Sequence, residues 1–407
     1  MSLFDAAERL AALDRSGVVL DAARCLHSQD KYATCALCFE LCPVGAIQVG
    51  RPPVLDAAAC KSCMACLPAC PVGAYQADDS VAHLMNCIPH LEGKPIDIIC
   101  SLHPAPNTGV KPELTGLRVQ GCLAVLGTGA YLALVALGLE QIILRCDACG
   151  ACEWGCLRQR ISDQVERANA LLVAWNHPAE IACVERVGKP AERPLWEAKN
   201  PPLSRRDLFR MLGRQGQVAL ARAMEQHERQ TGQFLGRDRL RLLSAVEHLP
   251  PAACADSLEL SGFDFATLVI SEACTACGVC ARACPTGALC LEKNAEESEY
   301  RLIIDYRKCI GCELCMHVCA PAAISINHAP TFAEVFGKGA VILQEGELVK
   351  CDRCGTPIAK RAGVKLCPVC EYRRKNPFGS VLPPGLGQSR DVEHSSGKKN
   401  KKNTGKE

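Results

Sequence analysis

The chain has 407 residues, of which 48% are hydrophobic, with 46 lysines and arginines against 44 aspartates and glutamates. This length allows about two to four domains, with enough apolar residues for a core in each. The 30 cysteines, in a chain with no recognisable signal peptide, exclude a small secreted disulfide-bonded domain and predict a reducing, anaerobic cytoplasm.

Residues 1–80 form the first predicted unit, which carries two groups of closely spaced cysteines. The first group is Cys35, Cys38 and Cys42, followed by Pro43, with Cys25 ten residues upstream of Cys35. The second group has the pattern Cys-x2-Cys-x2-Cys-x3-Cys-Pro and consists of Cys60, Cys63, Cys66 and Cys70 before Pro71. This pattern is typical of cubane iron–sulfur clusters, because two residues between thiolates let a short turn wrap one cluster. Zinc sites show two separated Cys-x2-Cys pairs instead.

Residues 81–187 alternate short apolar stretches with helical ones, which predicts a small parallel α/β domain. The predicted strands are 96–100, 117–123, 141–144 and 180–184, and a helix is predicted over 163–175. A further cysteine run with cubane spacing but no proline consists of Cys146, Cys149, Cys152 and Cys156.

Six cysteines lie outside every run, and two of them occupy informative positions. Cys100 and Cys122 fall at predicted strand ends, where ligands collect in parallel sheets. Buried structural cysteine is nevertheless the plainer interpretation for both. The same interpretation applies to the remaining four, Cys87, Cys183, Cys254 and Cys290.

The stretch 122–139 contains no charged residue over eighteen positions, which is the minimum length of a membrane-spanning helix. Its glycines, its threonine and the absence of a basic cluster at one end favour a different interpretation. The stretch divides into the end of a strand, a turn at 127–129 and a helix over 130–139. We therefore predict a buried α/β core and no membrane span.

The second half of the chain begins with a Pro-rich linker and an Arg-rich helical segment, together 188–250. Residues 251–330 hold two complete cysteine runs, Cys274, Cys277, Cys280 and Cys284, and Cys309, Cys312, Cys315 and Cys319. Residues 345–375 contain two Cys-x2-Cys pairs, Cys351 with Cys354 and Cys367 with Cys370. Such pairs are typical of a zinc ribbon, and rubredoxin-type mononuclear iron uses the same ligands. The polar tail 385–407 is predicted to be disordered.

The units 1–80 and 251–330 resemble bacterial two-cluster ferredoxins, and a Pro-x-Gly-Ala step follows the last cysteine in CPVGA and CPTGA. The resemblance implies a (βαβ)2 fold with two [4Fe-4S] clusters per unit and with the last cysteine of each run binding the cluster of the other run. The implied ligand sets are Cys25, Cys35, Cys38 and Cys70; Cys60, Cys63, Cys66 and Cys42; Cys274, Cys277, Cys280 and Cys319; and Cys309, Cys312, Cys315 and Cys284. Cys25 would reach its cluster through a loop insertion; the alternative is a free cysteine beside a three-iron or unusual cluster.

The central segment resembles the iron–sulfur delta subunits of methanogen-type hydrogenases, which hand electrons to heterodisulfide reductase. The stretches IICSLHP, VQGCLAVL and ILRCDACGACEWGC carry this resemblance. Those subunits bind a two-iron cluster in a small α/β domain. Here four cysteines lie in one run, which favours a self-contained [4Fe-4S] site at Cys146, Cys149, Cys152 and Cys156.

The predicted fold class is thus a multidomain α+β and α/β protein, in which two ferredoxin-like (βαβ)2 domains flank a small parallel α/β domain and a zinc ribbon follows. We expect about five [4Fe-4S] clusters and one zinc or mononuclear iron. The predicted function is electron transfer within an anaerobic oxidoreductase complex, from one ferredoxin unit through the central site to the other. Expected partners are other oxidoreductase subunits or a soluble electron carrier, with no nucleic acid. Two alternatives are a reductase with a catalytic thiol at Cys100 or Cys122 and a redox-sensing zinc-ribbon protein that binds nucleic acid.

Overall fold

A computed structural model of the chain describes residues 17–91, 95–202, 234–249, 255–294, 298–337, 339–361 and 363–376. Most of the predicted Arg-rich helical segment and the whole of the predicted disordered tail lie outside the described residues. None of the described helices combines the length and the apolar character that crossing a membrane requires.

The N-terminal unit is built from short strands that pair around the cysteine-bearing turns. Its elements are β1 (Val18–Leu20), α1 (Leu26–Gln29), α2 (Leu37–Leu41), β2 (Ile47–Gln48), β3 (Val54–Leu55), α3 (Cys66–Ala69) and β4 (Tyr75–Ala77). The first strand pairs antiparallel with the last, and β2 pairs antiparallel with β3. The short helix α1 fills the gap between Cys25 and Cys35, so the insertion in the ferredoxin pattern is a helical turn.

The middle of the chain forms the predicted parallel α/β domain. Its elements are α4 (Ser80–Cys87), β5 (Ile96–Ile99), β6 (Thr108–Gly109), β7 (Thr115–Arg118), α5 (Thr128–Ala136), β8 (Gln141–Arg145), α6 (Arg158–Ala174), β9 (Glu180–Val184), β10 (Ala191–Glu192) and β11 (Leu195–Glu197). Five strands form one parallel sheet in the order β11-β7-β5-β8-β9. Helix α5 lies within the uncharged stretch 122–139 and is buried from Thr128 to Val135. This is the burial expected of a helix in an α/β core.

Residues 188–202, predicted as a linker, instead contribute the edge strand β11 to this sheet. The buried Arg193 fixes the segment, because its Nη2 lies 2.6 Å from Oδ1 of Asp97 on β5. Gly116 on β7 leaves room for this guanidinium, which a Cβ at that position would overlap. Proline is compatible with an edge strand, since one side of such a strand needs no hydrogen-bond donor. The prolines therefore obscured a short strand, and the buried ion pair of Arg193 with Asp97 holds the chain in place just before it.

The C-terminal unit repeats the pairing of the N-terminal one. Helix α7 (Arg237–His248) precedes this unit and packs on α5 of the α/β domain, where the Gly129 and Ala130 amides donate to the Asp238 carboxylate. The elements of the C-terminal unit are β12 (Thr267–Ile270), α8 (Val279–Ala283), β13 (Leu289–Asn294), β14 (Glu299–Asp305), α9 (Leu314–His317), β15 (Ile324–Asn327), α10 (Phe332–Phe336), β16 (Ala340–Lys350), β17 (Pro357–Ala359) and α11 (Pro368–Lys375). Strand β12 pairs with β15, and β13 pairs with β14. Strand β16 pairs with both β14 and β17. The predicted zinc ribbon is therefore continuous with the sheet of the C-terminal unit.

Short 3-10 turns complete the described secondary structure, and several of them lie beside cysteines. They are Ala22–Arg24, Ile88–His90, Leu123–Val125, Cys149–Ala151, Gly155–Leu157, Ala255–Ser257 and Tyr306–Lys308.

A three-residue bridge, residues 234–236, joins the two cysteine-rich units. The Phe234 amide donates to the Pro285 carbonyl at 3.1 Å, and the Gly236 amide donates to the Pro71 carbonyl at 2.9 Å. In a second contact between the units, Nδ1 of His317 lies 3.0 Å from Oδ2 of Asp30. The C-terminal unit is thus held directly against the N-terminal unit.

Replacing Gly236 by alanine should loosen this junction, because the new Cβ would lie 2.6 Å from the Cys70 carbonyl oxygen. Such overpacking costs about 1–3 kcal/mol. We expect faster iron release from the loaded protein in denaturant, measured with an iron chelator under anaerobic conditions. Gly188→Ala is the matched control, since a Cβ there meets nothing within 4 Å. Equal release rates for the two variants would contradict the close packing of the bridge.

Candidate metal centres

The two cysteine runs of the C-terminal unit line two separate cavities. One cavity is lined by Cys274, Cys277, Cys280 and Cys319, and the other by Cys284, Cys309, Cys312 and Cys315. The last cysteine of each run follows the short helix α8 or α9, which carries it to the cavity of the other run. The structure therefore brings together the two thiol sets that the ferredoxin resemblance implies.

A left-handed turn shapes each complete run around its first three thiols. In the C-terminal unit, Ala276 and Gly278 on either side of Cys277 have φ values of 51° and 74°. Gly311 and Glu313 flank Cys312 with φ values of 63° and 60°. Ser62 has the same left-handed conformation beside Cys63 in the N-terminal unit, as does Met64 on its other side. Non-glycine residues rarely adopt positive φ, so this shared backbone marks a constrained site.

The Pro-x-Gly-Ala step places a backbone donor on the last sulfur of a run. The Ala74 amide donates to Sγ of Cys70 at 3.2 Å, and the Ala46 amide donates to Sγ of Cys42 at the same distance. The intervening Gly73 has a φ of +59°, which turns the chain back toward the sulfur. Amide donors stabilise thiolate ligands and help to set the potential of an iron–sulfur group. The motif therefore has a direct electrostatic role at Cys42 and Cys70.

The N-terminal thiols also form two sets, and Cys25 lies in the first. The pKa of Cys35 is raised to about 11, mainly by burial and in smaller part by the neighbouring thiols Cys70, Cys38 and Cys25. In the second set, burial raises the pKa of Cys66 well above its ordinary value, assisted by Cys63, Cys60 and Cys42. These interactions group Cys25 with Cys35, Cys38 and Cys70, and Cys42 with Cys60, Cys63 and Cys66. Cys25 is buried and starts α1, so the inserted helical turn is what presents it to this set.

The central cysteines meet at the carboxyl edge of the parallel sheet. Cys100 directly follows β5, Cys122 lies shortly after β7, Cys146 directly follows β8, and Cys183 lies in the last two residues of β9. The carboxyl ends of parallel strands are where such sheets assemble their sites. Sγ of Cys146 lies 3.4 Å from Sγ of Cys183. The prediction that Cys183 is a buried structural cysteine therefore missed its place at this edge of the sheet. Its position near the end of the strand predicted over 180–184 could have indicated that place.

The run from Cys146 to Cys156 interacts with these strand-end thiols. Burial raises the pKa of Cys100, and Cys149 and Cys152 raise it further. Burial also raises the pKa of Cys122 to about 12, with contributions from Cys100 and Cys149. Cys156 is exposed. Instead of the left-handed turn of the complete ferredoxin runs, Cys149–Ala151 forms a 3-10 turn. The run therefore lies beside thiols that follow other strands of the sheet.

Two buried donors support an iron–sulfur group at this edge. Among the described residues, the Tyr131 hydroxyl and the Trp154 indole N–H are buried without a hydrogen-bond partner. Tyr131 is fully buried on α5 and interacts electrostatically with Cys183, Cys146 and Cys122. An unpaired buried donor is costly, whereas cluster sulfur accepts hydrogen bonds of this kind. The residues present therefore fit a sulfur-rich group, which would supply one-electron exchange when bound.

The four ribbon cysteines form a compact metal-type site. The Sγ atoms of Cys351, Cys354, Cys367 and Cys370 all lie within 4.8 Å of one another, and those of Cys354 and Cys367 are 3.7 Å apart. Four sulfurs about 2.3 Å from a tetrahedral zinc lie about 3.8 Å apart. The Cys367 amide donates to Sγ of Cys351 at 3.2 Å and lowers the pKa of that thiol to about 6. This group can therefore hold a metal ion.

Comparison with known proteins agrees with these sites. Residues 273–323 match the family model of the 4Fe-4S dicluster domain, which confirms the two-cluster prediction for the C-terminal unit. The chain thus contains a domain of the kind that binds two [4Fe-4S] clusters. It is 28% identical over 109 residues to a probable iron–sulfur subunit of the Frd operon of Proteus vulgaris. The matched region covers 27% of this chain and 65% of that protein, so the relationship is distant and partial.

Proposed function

We propose that the chain is a cytosolic iron–sulfur electron relay and serves as a subunit or adapter of an anaerobic oxidoreductase complex. The observation that carries this proposal is a continuous series of thiol sites, in which electrostatic interactions or packing contacts of nearby residues link each site to the next. The distant similarity to an operon-encoded iron–sulfur subunit supports a role inside a larger complex. In this role the cysteines act as ligands, and other subunits or a soluble carrier supply and remove the electrons.

The proposed ligands in the two ferredoxin-like units are the four sets implied by the resemblance, Cys25 included. For the central site we propose Cys149 and Cys152 from the run together with Cys100 and Cys122 from the strand ends. Their mutual electrostatic interactions support this set. We propose zinc for the ribbon, because the sulfur separations suit tetrahedral coordination.

The contacts favour a relay order in which the N-terminal unit lies in the middle. Within the C-terminal unit, Cys315 of the inner set interacts electrostatically with Cys280 of the outer set. The loop of the inner set then packs on the N-terminal unit, where Ile310 is buried in one apolar cluster with Cys25 and Cys312 lies against that cluster. This order differs from the expectation that the central site separates the two units.

The N-terminal unit connects onward to the central site. Tyr75 interacts electrostatically with Cys38 of the first set and with Cys66 of the second, so it lies between them. The Cys122 amide donates to the Cys63 carbonyl at 3.0 Å, which joins the second set to the sheet edge. Gly121 permits this approach, since its φ is +84° and a Cβ there would lie 2.9 Å from the Cys63 carbonyl oxygen. The proposed series therefore ends at the central thiols.

Cys122→Ser and Cys156→Ser together test the proposed central ligands. We expect Cys122→Ser to lose the iron of the central site and its spectroscopic signal, because the thiol lies among the other three ligands. Cys156→Ser should keep both, since Cys156 lies outside the proposed set. Iron analysis and EPR of the reduced proteins measure the difference. The reverse result would favour the self-contained run, and full iron in both variants would favour a free reactive thiol at the edge.

Anaerobic purification of the whole chain tests the relay itself. Four cubanes and a central group of two or four irons predict about 18–20 irons per chain, together with one zinc. Reduction with dithionite should give EPR signals of several interacting clusters. A chain that binds about eight irons or fewer under these conditions would contradict the proposed series.

A further inference from the structure

A large groove lies between the ribbon and the turn that carries the outer thiol set of the C-terminal unit. Its volume is about 850 Å³. Val279 and Pro321 line it on the ferredoxin-like side, and Ile358 and Val369 line it on the ribbon side. Val279 is 37% exposed and Val369 is 54% exposed, so two apolar side chains face open space here. An exposed apolar surface beside a metal site is typical of an interaction surface.

Cationic side chains surround this apolar groove. Arg282, Arg373 and Lys375 line it, and all three are exposed. Lys293 lies close enough to Cys277 and Arg282 to interact with both electrostatically. The acidic lining residue, Glu371, is already engaged, because its Oε1 lies 2.7 Å from Nη2 of Arg374 and 3.3 Å from Nζ of Lys375. The groove is therefore apolar inside and positively charged around its rim.

The groove reaches the outermost proposed electron site of the chain. Cys277, a member of the outer set, is one of its lining residues. Nη1 of Arg282 donates to the Cys277 carbonyl at 3.4 Å, so a rim cation is attached to the ligand-bearing turn itself. A protein seated in the groove would contact this turn directly. Electron transfer between proteins needs such a close approach at a terminal site.

We propose that this groove docks a small acidic one-electron carrier protein that presents an apolar patch surrounded by carboxylates. The proposal rests on the relay proposed above and locates one of its two ends. In each encounter the reduced carrier loses one electron and the outer site gains it, with no bond made and no proton moved. The cationic rim guides the acidic carrier and accelerates association, and the apolar groove provides the contact.

The alternative occupant of the groove is the segment 377–407 of this chain, which follows shortly after α11, the helix that lines the groove. This tail segment carries six lysines and arginines against three acidic residues. Its positive charge matches that of the rim, so electrostatic repulsion disfavours it. An acidic protein has the complementary charge.

Stopped-flow reduction of the full-length, cluster-loaded chain by a reduced acidic two-cluster ferredoxin tests the proposal. Arg373→Glu/Lys375→Glu should slow the second-order reaction at least tenfold at low salt and reverse its dependence on ionic strength. Val369→Asp should slow it as well, since it places a charge in the apolar groove. Arg186→Glu/Lys189→Glu is the matched control, with the same change of charge at exposed positions of the α/β domain, and should react like the unmodified chain.

Dithionite reduces clusters without a docking surface, so its reaction tests the relay independently of the docking site. All variants should keep their iron and be reduced by dithionite at the unmodified rate. Equal ferredoxin rates in the rim variant, the control and the unmodified chain would overturn the docking site while leaving the relay in place. Iron-poor protein that dithionite cannot reduce would overturn the relay and the docking site together. Faster ferredoxin reduction after deletion of 377–407 would show that the tail occupies the groove and would also overturn the proposal.

Discussion

Cys25→Ala should remove about four irons from the loaded chain, or leave a three-iron cluster in their place, because cubanes need four ligands. Cys25 is buried among the other thiols of its set, and in the proposed order this set lies between the C-terminal unit and the rest of the relay. Electrons that enter at the C-terminal unit should then fail to reach the central site. Iron and sulfide analysis measures the loss of the cluster, and freeze-quench EPR measures the interrupted transfer.

Cys290→Ala is the control for this experiment. Cys290 is exposed on β13 and belongs to none of the four sets. Its replacement should leave the iron content and the transfer unchanged. An unchanged iron content in Cys25→Ala would show that Cys25 is a free cysteine and that the first N-terminal cluster is held by other means.

Cys351→Ser should remove the ribbon metal and unfold the segment from β17 to α11. The apolar core of this segment is small, and its buried members are Cys351, Ile358, Cys367 and Cys370. Metal binding therefore has to provide most of the free energy of folding. In zinc-finger peptides, zinc binding provides about 10–16 kcal/mol. Metal analysis and limited proteolysis of the loaded chain test this expectation.

The unfolding caused by Cys351→Ser should also affect the outer cluster site of the C-terminal unit. The Ala359 amide donates to the Thr275 carbonyl at 3.1 Å, and Arg361 donates to the Cys274 carbonyl. Loss of these contacts should increase the rate at which oxygen destroys the outer cluster. Val364→Ser, a partly exposed change in the same segment, should affect neither property. Normal zinc content and normal protease resistance in Cys351→Ser would contradict a structural metal.

Local spacing predicted those parts of the structure that depend on local backbone geometry. The strand predicted over 180–184 is observed as Glu180–Val184, because its apolar residues and flanking turns are contiguous. The complete cysteine runs likewise form turns within a few residues. The strand predicted over 117–123 ends at Arg118 instead. The chain turns there to place Gly121 against Cys63, and a contact between distant segments leaves no periodic signal in the sequence.

The central site shows the limit of motif spacing most clearly. The run at Cys146 has the same intervals as the ferredoxin runs but begins directly after a parallel strand. That position directs the run toward thiols that follow other strands of the sheet, Cys100 and Cys122 among them. Which strands lie side by side depends on the topology of the whole domain. The spacing within one run therefore could not identify its partners.

The proposed position of the N-terminal unit in the middle of the relay has a consequence for assembly. Ribosomes complete this unit first, when Ile310 and the rest of the C-terminal unit have not yet been made. Until then, the apolar surface beside Cys25 that Ile310 later covers is open to solvent. Clusters delivered to the nascent chain would find this entrance open, and docking of the C-terminal unit would then close it. The order of synthesis would thus make the innermost site accessible when it needs loading and protect it afterwards.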